Sequence, residues 1–259
     1  MAPAHTRPVL SCQDVEKIYG SRDNVTRALD GVSFDVAAGE YVAVMGPSGS
    51  GKTTMLNCVS TIDRPTSGHI YVDGQDITAL RAGQLSKFRR ERLGFVFQDS
   101  NLLDTLTARE NIALALTINH VPAKEVVARV TGVAQRLGVS EVLDKFPHEM
   151  SGGQKQRVAA ARAIVTDPSL VLADEPTGAL DSRNSRLLLE SLEDLNNAGA
   201  TIIMVTHDSF AASYARRALF LKDGRVWNEI VRGTKTRKAF FDEIMDVVSF
   251  LGGEGADVR

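Results

Sequence analysis

The sequence predicts an α/β fold with a parallel sheet at its centre. Leu170–Ala173 and Thr201–Val205 are short continuous apolar runs, which is the composition of parallel strands buried on both faces. Between them, Ser185–Asn196 has the apolar spacing of an amphipathic helix, and Gly199 follows as a residue that favours a helix C-terminus. Strands that alternate with a helix in this way indicate an α/β core.

The segments around this unit predict further parts. The N-terminal part is rich in strands, at Val9–Val15, Ala28–Val36 and His69–Val72, separated by Gly and Asp turns. Between Arg81 and about Val165 helix formers dominate, in the segments Arg89–Arg92, Ala108–Leu116, Lys124–Leu137 and Gln154–Ala163. Near the C-terminus, Leu219–Lys222 and Arg225–Asn228 flank Asp223-Gly224, a pair that favours a hairpin turn. The core therefore carries a helical insertion.

Composition limits the class of protein. The 259 residues are 43% hydrophobic and 24% charged, as in an ordinary globular protein, and a net charge of −2 gives no indication of nucleic acid as a partner. Cys12 and Cys58 match no metal or redox spacing, which favours a reduced, cytosolic compartment. No run approaches the roughly 18 to 20 apolar residues of a membrane span, and residues 1–9 lack the apolar region of a signal peptide. If the protein acts at a membrane, another chain crosses it.

A glycine-rich run follows the apolar segment Tyr41–Met45 and precedes a helix-compatible stretch. Its residues are Gly46-Pro47-Ser48-Gly49-Ser50-Gly51-Lys52-Thr53-Thr54. A strand, a glycine turn and a helix are the context of a phosphate-binding loop, in which backbone N–H groups and the helix N-terminus face the phosphates. Lys52 would contact the β- and γ-phosphates, and the Thr53 hydroxyl would bind Mg²⁺. The complete motif in this context disfavours the alternative, a simple glycine turn.

Two carboxylates end the predicted strand Leu170–Ala173. Asp174 would hold the magnesium shell opposite the phosphate loop, and Glu175 would polarise the attacking water. Two acids at a strand end could instead cap the next helix, but a phosphate loop in the same chain favours the catalytic interpretation.

The segment Ser151-Gly152-Gly153-Gln154 precedes a predicted helix. Ser151 is a good helix cap, and the two glycines leave the first amides of the helix open to an anion. A well-capped helix is the simpler interpretation of these residues alone. Because the chain already has a phosphate loop, we infer that this second anion site closes over the nucleotide of another copy.

Three further residues complete the predicted site. Gln98 follows the apolar run Leu93–Phe97. At this position it would contact magnesium and γ-phosphate and transmit their presence to the helical insertion. His207 follows the predicted strand Thr201–Thr206, at the ligand-binding edge of a parallel sheet, and would contact the γ-phosphate and position Glu175. Tyr19 lies upstream of the phosphate loop and would stack on adenine. Taken singly, His207 and Tyr19 would be structural residues, so their predicted roles depend on the whole set.

Together these residues resemble the ABC-transporter ATPase family, from about Val9 to Asn228. The resemblance implies that Tyr19 forms the A-loop, Gly46–Thr54 the Walker A motif, Gln98 the Q-loop, Ser151–Gln154 the signature, Asp174 and Glu175 the Walker B motif, Ala179-Leu180-Asp181 the D-loop and His207 the H-loop. Met150 replaces the family's usual Leu before the signature, a volume-conserving change.

The family resemblance implies a P-loop NTPase fold of the ABC ATPase type. A RecA-like core would carry an N-terminal antiparallel β subdomain, with both lying in residues 9–97 and 166–228. A helical subdomain would be inserted at residues 98–165, and a C-terminal helix would follow at 236–251. The resemblance also implies ATP and Mg²⁺ as ligands, and a head-to-tail homodimer in which Asp181 and the signature contact the partner's ATP.

A finer resemblance is to the branch that serves macrolide export, lipoprotein release and cell-division permeases. Within it, Ser60–Gly68, Asn101–Thr107 and His207–Tyr214 are similar to the bacitracin-resistance (Bce-type) ATPases. Those ATPases pair with a large membrane permease, often beside a sensor kinase, and work at the cytoplasmic face of the membrane. After the basic stretch Lys235–Lys238, an apolar stripe predicts a helix that packs on its own domain or on the dimer partner; it comprises Phe240, Phe241, Ile244, Met245, Val248 and Leu251.

Other functions of ABC-type ATPases fit less well. The DNA-repair and chromosome members have a long coiled coil between phosphate loop and signature, whereas the interval from Gly46 to Ser151 has no sustained heptads. The translation members typically have two ATPase units, and this chain has one. Transmembrane signalling, as in the cell-division relatives, stays open at the level of sequence, because the permease lies on another chain.

Overall fold

A computed structural model describes residues 8–21 and 24–253. The prediction that residues 1–9 lack a signal peptide falls almost wholly outside this range. Two sheets form the frame, and all helices of the described chain pack around them. No helix in the described range is long and apolar enough to cross a membrane.

The smaller sheet is antiparallel and built from the N-terminal part. Its strands are β1 (Leu10–Ser21), β2 (Asn24–Val36), β4 (Ser67–Val72) and β5 (Gln75–Asp76), in the order β2-β1-β4-β5. The predicted N-terminal strands are therefore confirmed, although β1 and β2 extend further than their apolar residues indicate. The pairing of β1 with β2 shows register shifts between Cys12 and Ile18, which indicate β-bulges or irregular pairing.

The larger sheet has six strands, in the order β10-β9-β3-β8-β7-β6. They are β3 (Tyr41–Met45), β6 (Leu93–Phe97), β7 (Leu170–Asp174), β8 (Ile202–Val205), β9 (Arg217–Lys222) and β10 (Arg225–Val231). All neighbours are parallel except the hairpin β9–β10, whose turn residues Asp223 and Gly224 both have positive φ. The predicted parallel strands and the hairpin are confirmed.

The central strands have a core on each face. In β3, Val42 and Val44 pack in the core between the two sheets, whereas Tyr41, Ala43 and Met45 pack in the core beneath the helices. Successive side chains of a strand point to opposite faces, so a strand that is buried on both sides must be apolar at every position. This explains why the strand sequences show continuous apolar runs.

The helices follow the predicted segments with one interruption. They are α1 (Lys52–Val59), α2 (Ala82–Arg92), α3 (Ala108–Ile118), α4 (Ala123–Arg136), α5 (Gly152–Ile164), α6 (Ser182–Asn197), α7 (Ser209–Ala212) and α8 (Arg237–Gly253). The region from Arg81 to Val165 is not helical throughout, because β6 lies within it and pairs in parallel with β7. The boundaries proposed for the inserted subdomain stay a prediction.

The C-terminal helix α8 packs on its own domain. Phe240 and Ile244 are fully buried in the core beneath the helices, and Val248 and Leu251 pack partly against it. The prediction allowed the helix's own domain or the dimer partner, and for these residues the structure shows the first. Met245 of the same stripe is exposed, because the helix turns that side away from the core.

Candidate active site

The glycine-rich run forms a tight loop between β3 and α1. Gly46, Gly49 and Gly51 have φ values of 147°, 79° and 100°, a region that side chains rarely adopt. A Cβ on Gly46 would lie 2.2 Å from the carbonyl oxygen of Leu221, and one on Gly51 would lie 2.4 Å from that of Ala28. Both the backbone conformation and the close neighbours therefore require glycine at these two positions.

The N-terminus of α1 is open to an anion. Gly51 is the cap residue, no side chain of the described chain caps this end, and the first turn holds no acidic residue. The first N–H groups of a helix need acceptors, and phosphate oxygens are suitable ones. Lys52 lies across the loop, where its Nζ donates to the carbonyl oxygens of Gly46 (2.7 Å) and Pro47 (2.8 Å). Partial burial lowers the pKa of Lys52.

The two predicted carboxylates lie at the same sheet edge as the loop. Asp174 ends β7, and Glu175 follows with φ 44°, its N–H donating to the carbonyl oxygen of Val205 (2.9 Å). The carboxylate of Glu175 is held by the segment after β8: Oε1 accepts from the backbone N–H of His207 (3.0 Å), and Oε2 accepts from Thr206 Oγ1 (3.1 Å). The structure thus brings Glu175 and His207 together, as predicted.

Thr53, Gln98 and Asp174 are the three predicted magnesium ligands. Burial, together with the negative charge of Glu175, raises the pKa of Asp174. The described residues include no group of three or more His, Cys, Asp or Glu side chains arranged to hold a metal. Mg²⁺ is commonly held by one or two protein ligands together with substrate phosphates and waters. This donor set fits that pattern, while Gln98 as a ligand stays a prediction.

Gln98 lies beside the segment that follows Glu175. The pairing of Phe97 with Asp174 across β6 and β7 brings Gln98 to the carboxyl edge of the sheet. A Cβ on Gly178 would lie 3.0 Å from the Cδ atom of Gln98, so the two residues are in contact. Arg162 of α5 donates to the carbonyl oxygens of Ser100 (3.0 Å) and Asn101 (2.8 Å), which connects this segment to the helix that begins at the signature.

The signature segment forms a capping box. The Gln154 N–H donates to Ser151 Oγ (3.3 Å), and the Ser151 N–H donates to Gln154 Oε1 (2.9 Å). Gly153 packs against Asn184 so closely that a Cβ would lie 1.9 Å from its Oδ1 atom, and Asp181 in turn accepts from the Asn184 N–H (2.8 Å). The structure therefore brings Asp181 and the signature together. Within the described chain, the hydrogen bonds of Ser151 and Gln154 are local and do not reach the phosphate loop.

Tyr19 lies on β1 with 40% of its surface exposed, as a ring available for stacking requires. Its hydroxyl donates to Asp63 Oδ2 (2.7 Å), and Lys17 Nζ lies 4.8 Å from the ring centroid. Sequence reasoning missed Asp63 and Lys17. Lys17 precedes Tyr19 by two positions on a strand and so shares its face, which was an available signal, whereas Asp63 is 44 positions away.

These elements place a glycine-rich loop, an open helix N-terminus and two carboxylates at the carboxyl edge of a parallel sheet, and this combination is typical of a nucleotide phosphate site. A family model described as "ABC transporter" matches residues 29–178, and the chain belongs to this family. It is an ABC transporter ATP-binding subunit and an ATPase. The fold prediction is confirmed by this match and by the structural neighbour described below.

Three relatives illustrate the similarity. The bacitracin export ATP-binding protein BceA of Halalkalibacterium halodurans is 47% identical over 95% of this chain and 97% of its own. The macrolide export ATP-binding/permease protein MacB of Hyphomonas neptunium is 44% identical over 85% of this chain, which spans 34% of MacB. The cassette MJ0796 of Methanocaldococcus jannaschii, solved as a dimer in a post-hydrolysis state with ADP and Pi, is 38% identical, with a TM-score of 0.77 over 86% of this chain and 98% of that one.

Proposed function

We propose that this chain powers a separate membrane permease that protects the cell against antimicrobial peptides of the bacitracin kind. The observation that carries the proposal is the near full-length similarity to BceA, which extends over 97% of that protein. The chain would then work at the cytoplasmic face of the membrane, bound there through the permease.

The catalytic unit of the proposal is a head-to-tail dimer. Ser151 and Gly152, at the start of the signature helix α5, are exposed, so this end of the helix is accessible to a ligand outside the chain. The related cassette MJ0796 was solved as a dimer. Two copies would enclose two ATP molecules, each between the phosphate loop of one copy and the signature of the other.

In this proposal, hydrolysis depends on the residues of the candidate site. Thr53, Gln98 and Asp174 would hold Mg²⁺, which would supply positive charge beside the phosphates. Lys52 would exchange its two backbone acceptors for phosphate oxygens. Glu175, oriented by Thr206 and His207, would accept the proton of the attacking water, and the exposed His207 ring would contact the γ-phosphate.

A groove beside the proposed insertion is suited to the permease. It has a volume of about 550 Å³ and lies between α2, β6, α3 and α5. Apolar side chains, among them Phe95, Phe97 and Ile118, line it, and Arg89 and Arg162 contribute positive charge. We propose as its occupant a short cytoplasmic helix of the permease that has an apolar face and an acidic residue.

Phe97 and Arg162 connect the groove to the candidate active site. Phe97 lies in the groove and is followed by Gln98, which contacts Gly178 after Glu175. Arg162 lines the same groove and binds the carbonyl oxygens that follow Gln98. Movement of Gln98 during hydrolysis would therefore change the shape of the groove.

Co-purification tests this proposal. Tagged chain expressed with the membrane protein encoded beside it is expected to retain a permease with a large extracellular domain through detergent extraction. Cells that carry the pair should survive bacitracin concentrations that kill cells carrying Lys52→Ala. A functional ATPase whose partner and substrate differ from these would overturn the peptide-resistance proposal.

A second function is supported by the similarity to the macrolide export ATP-binding/permease protein MacB, of which this chain spans 34%. The permease would then serve macrolide export, lipoprotein release or cell division. Recovery of a four-span permease in the same experiment would favour the cell-division type. A sensor kinase that co-purifies only when the permease is present would favour the Bce type.

A further inference from the structure

Tyr19 is held by a carboxylate that is itself held by a lysine. The Tyr19 hydroxyl donates to Asp63 Oδ2 (2.7 Å), while Lys17 Nζ donates to Asp63 Oδ1 (2.6 Å) and to the carbonyl oxygen of Arg64 (2.7 Å). Hydrogen bonds with an ionised partner are stronger and more directional than neutral ones. Two strong bonds on one carboxylate therefore fix both the ring of Tyr19 and the ammonium group beside it.

The loop that carries Asp63 is anchored on both sides. The N–H of Asp63 donates to the carbonyl oxygen of Asn57 (3.1 Å), which belongs to α1. Arg89 of α2 donates to the carbonyl oxygen of Thr61 (3.0 Å) and to its hydroxyl (3.1 Å). Because α1 begins at the phosphate loop, these bonds connect Asp63 to that loop.

An exposed aromatic ring binds a flat ligand more tightly when the ring is already held in the binding orientation. The side chain then loses less conformational entropy when the ligand binds. Partial burial and the hydrogen bond to Asp63 raise the pKa of Tyr19, so the phenol keeps its proton for that bond. Lys17 compensates the charge of Asp63, which keeps a bare carboxylate away from a triphosphate ligand.

We propose that Asp63 is a positioning residue that sets the Tyr19 ring for stacking on the adenine of ATP. This inference rests on the proposed ATP site and assigns a role to a residue outside its motifs. Asp63 does not contact the nucleotide. It acts only through the ring of Tyr19.

A double-mutant cycle on the full chain tests the proposal. ATP and inorganic tripolyphosphate, which has no base, are titrated by calorimetry into wild type, Tyr19→Phe, Asp63→Ala and the double variant. Each single variant is expected to weaken ATP binding about three- to tenfold, the range for loss of one hydrogen bond. The double variant should lose less affinity than the two single losses combined, since the Tyr19–Asp63 bond is absent from both single variants. Tripolyphosphate should bind all four equally.

Two controls separate positioning from folding. Asp63→Asn keeps an acceptor for the hydroxyl and should restore most of the affinity for ATP. Asp76→Ala removes another carboxylate that accepts side-chain bonds, from Thr78 and His69, and should leave both ligands unaffected.

Distinct outcomes would overturn the proposal. Unchanged ATP affinity in Asp63→Ala would exclude a positioning role, and an equal loss for tripolyphosphate would show a general structural defect. Additive losses in the double variant would show that the two residues act separately. If wild type bound ATP no more tightly than tripolyphosphate, stacking of Tyr19 on adenine would be excluded. ATP hydrolysis by this chain is a separate matter, and only a failure to hydrolyse Mg²⁺-ATP would contradict it.

Discussion

One carboxylate oxygen of Glu175 contacts His207 at two of its nitrogen atoms. Oε1 of Glu175 lies 3.0 Å from the backbone nitrogen of His207 and 2.8 Å from its ring nitrogen Nδ1. Since Nδ1 is engaged, Nε2 is the ring atom that faces outward, and the His207 side chain is 76% exposed. The residue proposed to activate water is thus held by the residue proposed to contact the γ-phosphate.

Replacement of Glu175 by Gln should separate ATP binding from hydrolysis. Gln keeps an acceptor for the His207 N–H but cannot take a proton from water, so turnover should fall about 100-fold or more. ATP should stay bound and a closed dimer should accumulate, as measured by phosphate release and by light scattering after size exclusion. Asp246→Asn, on the exposed side of α8, is the matched control. Unchanged turnover in Glu175→Gln would remove the proposed base.

Replacement of Lys52 by Ala should weaken binding and turnover together. The substitution keeps the backbone N–H of Lys52 and removes its ammonium group, and electrostatic contacts carry most of phosphoryl-transfer catalysis. Equilibrium binding of ATP and steady-state hydrolysis measure the two effects. Lys238→Ala, an exposed lysine of α8, should alter neither. A variant of Lys52 with normal ATP affinity would contradict the proposed phosphate contact.

A charge in the groove should prevent permease binding. Ile118 lines the groove and is 47% exposed. Ile118→Glu would therefore place a carboxylate against the apolar face and the acidic residue of the proposed permease helix. The variant should bind ATP normally and lose the co-purifying permease. Val127→Glu, at a residue of α4 that is 64% exposed and lies outside the groove, should keep the permease. Equal retention by both variants would place the permease elsewhere.

The C-terminal helix should contribute to stability through one aromatic residue. Phe240 is fully buried, so Phe240→Ala should lower the free energy of unfolding by about 3–5 kcal/mol, the range for large core truncations. Phe250 lies on the same helix and is 71% exposed, and Phe250→Ala should change stability by about 0.5 kcal/mol or less. Urea denaturation measures both. Similar effects at the two positions would show that α8 is not docked by Phe240.

The two thiols should be unreactive in the folded protein. Burial raises the pKa of Cys58 to about 11 and raises that of Cys12 further, so both are protonated at pH 8. A thiol reagent should label the unfolded chain in urea quickly and the native chain slowly. The thiols of the unfolded chain ionise near pH 9, below the raised pKa values that the same thiols have in the folded chain. The free energy of unfolding should therefore fall as the pH rises above about 9. Rapid native labelling at pH 8 would contradict this burial.

Local signals were enough to predict much of the site. The phosphate loop is specified by glycines that adopt positive φ, and the capping box at Ser151 and Gln154 requires only residues three apart. Asp223-Gly224 predicts its hairpin for the same reason, since the turn geometry belongs to the pair itself. The chemistry of these segments is contained in a few consecutive residues, and the sequence alone therefore determined it.

Tertiary structure decided what depends on distant partners. Leu93–Phe97 is a five-residue apolar run beside a helix, and only its pairing with β7 makes it a strand that presents Gln98 to the site. The bonds of Tyr19 to Asp63 and of Arg162 to Ser100 join residues 44 and 62 positions apart. No local pattern encodes such pairs, because chain folding brings them together through core packing and strand register, which are properties of the whole molecule.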